Sequence, residues 1–405
     1  MTPGSQTHFA RLDLHLFASV ACVLPVASYV LTTFGWRPAD IGVGTAVLGI
    51  AGTLSSPFWG RLDDRTSWAP RAAVLASAAA AVLAALSLGR LPHVATWIAL
   101  ALFGAAEGPL DALLTTRVLA SGLHGSRLGA VRSFGSLGWV VGLALAATVL
   151  TVWPEHAEWV LIAAAVTAVT SPLSWGRRAA EPPDGTAKAP GPAAVRKLPV
   201  RPVLGVLAVT FPSSLAMSTL VQFTAGWAHE ALSAGPFLAL SPIALSALLE
   251  LPVFPLVDRL VRARTPLLVT VLAGPPLAVA TAVLALFPSS VSMLAVQPLI
   301  ALSFSLLFVG QSRLLSAAVS ADRQASAQTL GSALIGGVGG LVAGVVGGRV
   351  ADSLGYGGLF SCLVALTVAG TAIGVVALVR ATRPDPTGPA PCPAVHDGCT
   401  VPANQ

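Results

Sequence analysis

Twelve stretches of roughly 20 predominantly apolar residues follow one another along the chain, each long enough to cross a bilayer as a helix. They lie at about 12–33, 39–59, 72–90, 93–118, 128–152, 157–175, 203–226, 233–256, 266–287, 290–318, 325–350 and 356–380. Only 10% of residues are charged, against roughly 25% in an average soluble domain, and 55% are hydrophobic. A water-soluble surface cannot be built from so few charges. The chain therefore reads as an all-α integral membrane protein with twelve spans. The first apolar stretch is long enough to stay as a helix, and no cleavable signal peptide is expected.

The net charge of +6 is explained by where the basic residues fall. With both termini in the cytoplasm, all but four of the 23 Lys and Arg lie at or near the inner side. Arg37, Arg90 and Arg349 fall outside, and Arg132 lies within a span. This positive-inside bias sets the expected orientation in a bacterial-type inner membrane. The same bias explains the basic composition without a nucleic-acid partner.

The composition breaks at 177–201, which is rich in Pro, Ala, Gly, Arg and Lys and has no helical period. It divides a first six-span bundle, 1–176, from a second, 202–381. Residues 382–405 read as a disordered cytoplasmic tail. Its Cys392, Cys399, His396 and Asp397 are not expected to form a metal site.

Charged knots punctuate both halves. Gly60-Arg61-Leu62-Asp63-Asp64-Arg65 follows the second span, and Leu256-Val257-Asp258-Arg259 follows the eighth. These resemble the Gly-x-Leu-x-Asp-Arg-x-Gly-Arg-Arg/Lys signature of the major facilitator superfamily. Ser67 and Trp68 depart from its end, and Phe254 stands at the glycine position of the second copy. The resemblance implies two pseudo-symmetric six-helix bundles working by alternating access. It also implies a conformational latch of Gly60, Asp64, Arg65, Asp258 and Arg259. Asp64 would interact with the start of the eleventh span, since a carboxylate is favoured at a helix N-terminus.

Ionisable groups inside a span are costly, about 2.5–3.5 kcal/mol each on insertion scales, and so are functional candidates. Glu107, Asp111, Arg132 and Glu250 lie well inside. Glu107 and Asp111 are four apart and share a face. Asp111 and Arg132 lie at similar depth on neighbouring spans, so they are expected to pair. Glu107 is one turn deeper without an evident partner, and Glu250 is the lone acid of the second half. Either is a candidate proton carrier.

A finer resemblance rests on Gly108-Pro109-Leu110-Asp111, Arg132-Ser133-Phe134-Gly135-Ser136-Leu137-Gly138-Trp139 and Glu250-Leu251-Pro252. These are similar to the branch holding lactose permease, nucleoside–proton symporters and phenylpropionate permeases. The resemblance implies that Arg132 binds substrate, with Asp111 as its carboxylate partner and Trp139 as a stacking face. Ser136, Gln222 and Gln297 are further substrate-binding candidates, and Asp111 joins Glu250 and Glu107 as a proton-coupling candidate. The branch's tenth-span histidine is missing: that stretch reads Gln297-Pro298-Leu299-Ile300, and Ser303 stands where lactose permease has a glutamate.

Gly336, Gly340, Gly344 and Gly348 recur every fourth residue in the eleventh span, and Gly135, Gly138 and Gly142 mark the fifth. Both are expected to allow close helix approach, and to let the halves rock. No phosphate-cradling loop, metal-spaced cluster or nucleophilic triad is present. The expected function is proton-coupled symport of a small polar organic solute, sugar-like or nucleoside-like, by a non-enzymatic monomer that needs no cofactor beyond the proton gradient. Proton-driven efflux of an amphipathic metabolite or drug is the alternative.

Overall fold

The computed structural model describes residues 3–66, 68–120, 126–170, 200–319, 331 and 333–382. The first half comprises α1 (Pro3–Ala21), α2 (Ala27–Thr33), α3 (Pro38–Arg65), α4 (Ala69–Ser87), α5 (His93–Ala120), α6 (Ser126–Val152) and α7 (Trp159–Thr170). The second comprises α8 (Val200–Leu232), α9 (Pro236–Ala263), α10 (Pro266–Val271), α11 (Gly274–Leu286), α12 (Ser290–Ala295) and α13 (Gln297–Ala318). It ends in a π-helical segment, Ala333–Gly339, and α14 (Gly340–Thr382). The linker and the tail lie outside the described residues apart from their edges.

Prolines decide where the spans break. The first span, expected to be continuous, is interrupted at residues 22–26, around Pro25. A proline removes one helical N–H, and its ring clashes with the preceding turn. The ninth span breaks between α10 and α11, just before Pro275 and Pro276, and the tenth breaks at Val296, before Pro298. Pro38, Pro236 and Pro266 instead open their helices, where the missing N–H costs nothing.

α14 carries two crossings. Gly355 stands at φ 70° and ψ 174°, which turns the chain between the eleventh and twelfth spans. Among the described residues, eight helices are apolar and long enough to cross a membrane, and Trp159–Ala168 is a shorter apolar helix. One of the eight, Gly336–Arg380, is this double crossing. The split α1–α2 pair, α5 and α7 complete the twelve.

Large apolar side chains such as Leu54, Leu286, Val291 and Val376 lie on the outside, which suits lipid rather than water. The interior is filled with small residues; α4 alone buries Ala69, Ala73, Ala78, Ala80, Ala81, Ala84 and Ala85. Within the first half, α3 packs on α5 and α1 on α6. Between the halves, α3 packs on α14, α6 on α9 and α2 on α8. These are spans 2 with 11, 5 with 8 and 1 with 7. Exchanging the halves turns the first pair into the second and leaves the third unchanged, as a pseudo-two-fold axis requires.

Candidate solute site between the halves

Two faces of α6 do different work. A Cβ on Gly138 or Gly142 would overlap the α1 carbonyls of Leu14 and Ala18, and one on Gly135 would come within 2.6 Å of Asp13 Oδ2. The glycine face therefore seats α6 on α1, inside one half, and does not rock between halves. Rotated by about a quarter turn, at roughly 100° per residue, positions 132, 136 and 139 share an adjacent face. That face looks at α9. Ser136 Oγ donates to Glu250 Oε2 at 3.0 Å, and both residues are buried.

This hydrogen bond brings together two residues 114 apart in sequence and joins the halves. Ser136 stands ten residues into α6, about 15 Å from its start. Trp139, half-buried, packs against the main hydrophobic core one turn further on. Asp111 is part-buried on α5 and has a partner. The side chain of Arg132 lies outside the described residues, so the expected Asp111–Arg132 pair does too.

Gln222 is engaged at both ends. Its Oε1 accepts from Thr45 Oγ1 at 2.8 Å, and its Nε2 donates to the Gly340 carbonyl at 3.3 Å. It thus ties α8 to α3 and α14. Gln297 Nε2 donates to the Met293 carbonyl at 2.7 Å, across the break before Pro298. Both amides support helix junctions. Ser303, which stands where lactose permease has a glutamate, is buried with no hydrogen-bond partner for its hydroxyl among the described residues.

Two polar residues of α1 escaped the sequence reading. Asp13 is 3% exposed and faces Gly135, one turn from position 132 on α6. His15 lines a small cavity together with Glu107. The available signal was helical period: Asp13 sits among Phe9, Leu12 and Leu16, which are all buried.

The eleventh-span glycines do not act as one stripe. Cβ atoms on Gly344 and Gly348 would strike α3 at Gly42 and at the Pro38 carbonyl. Gly340 has only Gln222 Nε2 nearby, at 3.9 Å, and Gly336 has nothing within 4 Å. The π-helical turn at Ala333–Gly339 shifts the register by a residue, so Gly337 meets Thr53 instead.

The side where α2 meets α3 is tied shut across the halves. Arg37 Nε donates to Asp352 Oδ1 at 3.1 Å, and a second guanidinium nitrogen reaches Oδ2. The carboxylate raises the Arg37 guanidinium above its ordinary pKa. The Gly226 N–H donates to Ser28 Oγ at 3.1 Å, and the rings of Tyr29 and His229 lie 4.6 Å apart. Toward the opposite side, where the linker attaches, Leu256 and Arg259 are exposed, and a Cβ on Gly60 would meet nothing within 4 Å. The side chains of Asp64, Arg65 and Asp258 are outside the described residues, as is the expected latch contact at the start of the eleventh span.

Residues 11–362 match the model of the MFS_1 like family. The chain belongs to this family, within the major facilitator superfamily. Its fold is similar to that of a point mutant of the nucleoside transporter NupG, with a TM-score of 0.75 and 15% identity, over 92% of this chain and 99% of that one. A bacterial homologue of the human lysosomal transporter Spinster, in an inward-facing and occupied conformation, matches with a TM-score of 0.71 and 14% identity. That match covers 96% of this chain and 100% of the other. Two Mycobacterium tuberculosis strains carry a relative described as "Probable nitrate/nitrite transporter NarK2", 35% identical over 128 residues. The match spans 30% of this chain and 31% of the relatives' length.

Proposed function

We propose that the protein is a proton-coupled symporter of a small polar organic solute, nucleoside-like or sugar-like, in a bacterial-type inner membrane. The distribution of Lys and Arg supports a cytoplasmic linker and cytoplasmic termini. The observation that carries the reading is the Ser136–Glu250 hydrogen bond. A buried carboxylate of one half accepts from a hydroxyl of the other, on the face of α6 that also holds positions 132 and 139. A solute hydroxyl or ring nitrogen entering there competes with Ser136 for the same oxygen. Protonation of Glu250 weakens its acceptor strength and frees the halves to part. An indole at Trp139 offers an apolar face to a sugar or base ring. Family membership and the likeness in fold to a nucleoside transporter support the solute class.

Purified protein in proteoliposomes tests this. With the outside made acid, labelled uridine or lactose should accumulate, and a proton ionophore should abolish accumulation. Glu250→Gln should keep solute exchange at equilibrium while losing gradient-driven accumulation. Accumulation of nitrate with indifference to uridine and lactose would replace the reading by anion transport, the activity in the name of the Mycobacterium relatives.

A further inference from the structure

We propose that His15 and Glu107 form a proton-binding site inside the N-terminal bundle, separate from the Ser136–Glu250 contact between the halves. A small, partly open cavity of about 10 Å³ is lined by residues of α1, α4, α5 and α7. All four helices belong to the first half, so a solute bound between the halves does not occupy it. His15 and Glu107 supply its titratable groups, and Ser19 and Ser77 its hydroxyls.

The hydroxyls are set as acceptors. Ser19 Oγ donates to the Ala164 carbonyl at 3.1 Å, and Ser77 Oγ donates to the Val74 carbonyl at 2.9 Å. Each has spent its one proton, so each offers the cavity only lone pairs. Such walls favour a species that carries a proton to donate, a carboxylic acid or an imidazolium.

Among the described residues, Arg11 stands one turn before His15 on α1 and Arg71 one turn before Val74 on α4. Asp111 follows Glu107 by one turn on α5, and Asp13 precedes His15 by two residues on α1. At this level α3 turns Ser55 and Trp59 to α5, both bonded to the Ala105 carbonyl, and α6 turns Gly135 and Gly138 to α1. α4 and α7 bring no titratable side chain to the cavity. The pair joins two helices that are 92 positions apart at His15 and Glu107.

The proposal rests on proton coupling as read above, and its test is independent of solute. Infrared difference spectra of the full chain in lipid, taken between acid and alkaline pH, report carboxyl groups that titrate. The wild type should show a carboxylic C=O band that Glu107→Gln removes and Glu250→Gln leaves in place. Glu107→Asp should displace that band, which covers the case of a Gln variant that folds poorly. His15→Asn should move the midpoint by about one pH unit, the scale of losing one nearby charge. An unchanged band in both Glu107 variants, or an unchanged midpoint in His15→Asn, overturns the site. Titration of Glu107 in a protein that shows no proton-driven uptake would sink the transport reading and leave the site standing.

Discussion

Arg132, Ser136 and Trp139 lie on one face of α6, and Ser136 shows where that face points. An arginine's forked donors match a hydroxyl pair or a carboxylate, and a lysine ammonium does not reproduce them. Arg132→Lys is therefore expected to abolish solute accumulation in proteoliposomes, although charge is kept. Trp139→Tyr should be milder than Trp139→Ala, because a phenol keeps an aromatic face. Normal accumulation and unchanged affinity in Arg132→Lys would make Arg132 a structural residue. Ser136→Ala leaves Glu250 without its hydroxyl donor. It should weaken the closed contact and raise the exchange rate or shift its pH optimum; an unchanged pH profile would show that the bond is incidental.

Between elements, the glycines separate into two kinds. Those of α6 seat one helix on another within a half, whereas Gly344 and Gly348 let α3 and α14 touch across the halves. Gly344→Leu should force these helices apart, at a cost on the order of 1–3 kcal/mol for an overpacked contact. It should lower the melting temperature in detergent or hold the far side open. Gly340→Ala meets open space beside Gln222 Nε2, and it should melt and transport as the wild type does. If the two variants behave alike, the register assigned by the π-helical turn is wrong. That turn also leaves Gly336 facing open space, so a period-four count along the sequence overstates the packed stripe.

Over the whole molecule, the contacts that the described residues make between the halves close the side where α2 meets α3. The Arg37–Asp352 pair closes that side at its rim, with side chains 73% and 21% exposed. Exposed pairs are modest and screened by salt, so this one biases an equilibrium rather than locking it. Asp352→Asn should raise the labelling rate of a cysteine placed at Ala46 of α3 by a few-fold, and high salt should do the same to the wild type. Exchanging the charges, Arg37→Asp with Asp352→Arg, should restore the slow rate. Equal rates in all variants would remove the pair from the gate. Single cysteines in 177–201 and after 382 should label only from the cytoplasmic side, and labelling from outside intact cells would reverse the orientation.

The sequence by itself determined the twelve crossings, their grouping in two halves, and the family. Each of these is local: a run of about 20 apolar residues satisfies its own backbone in lipid, and a charged knot marks each repeat wherever it folds. Glu107, Asp111 and Glu250 were legible because a lone acid in an apolar run stands out. What each helix turns toward its neighbours was not. Helices that are apolar on all sides carry no periodic signal of their buried face. Only the tertiary structure pairs Ser136 with Glu250, brings His15 to the cavity of Glu107, and spends Gln222 on Thr45 and Gly340. Helix rotation, the breaks around Pro25 and before Pro298, and one π-helical turn set those meetings, and each depends on packing between segments far apart in the chain.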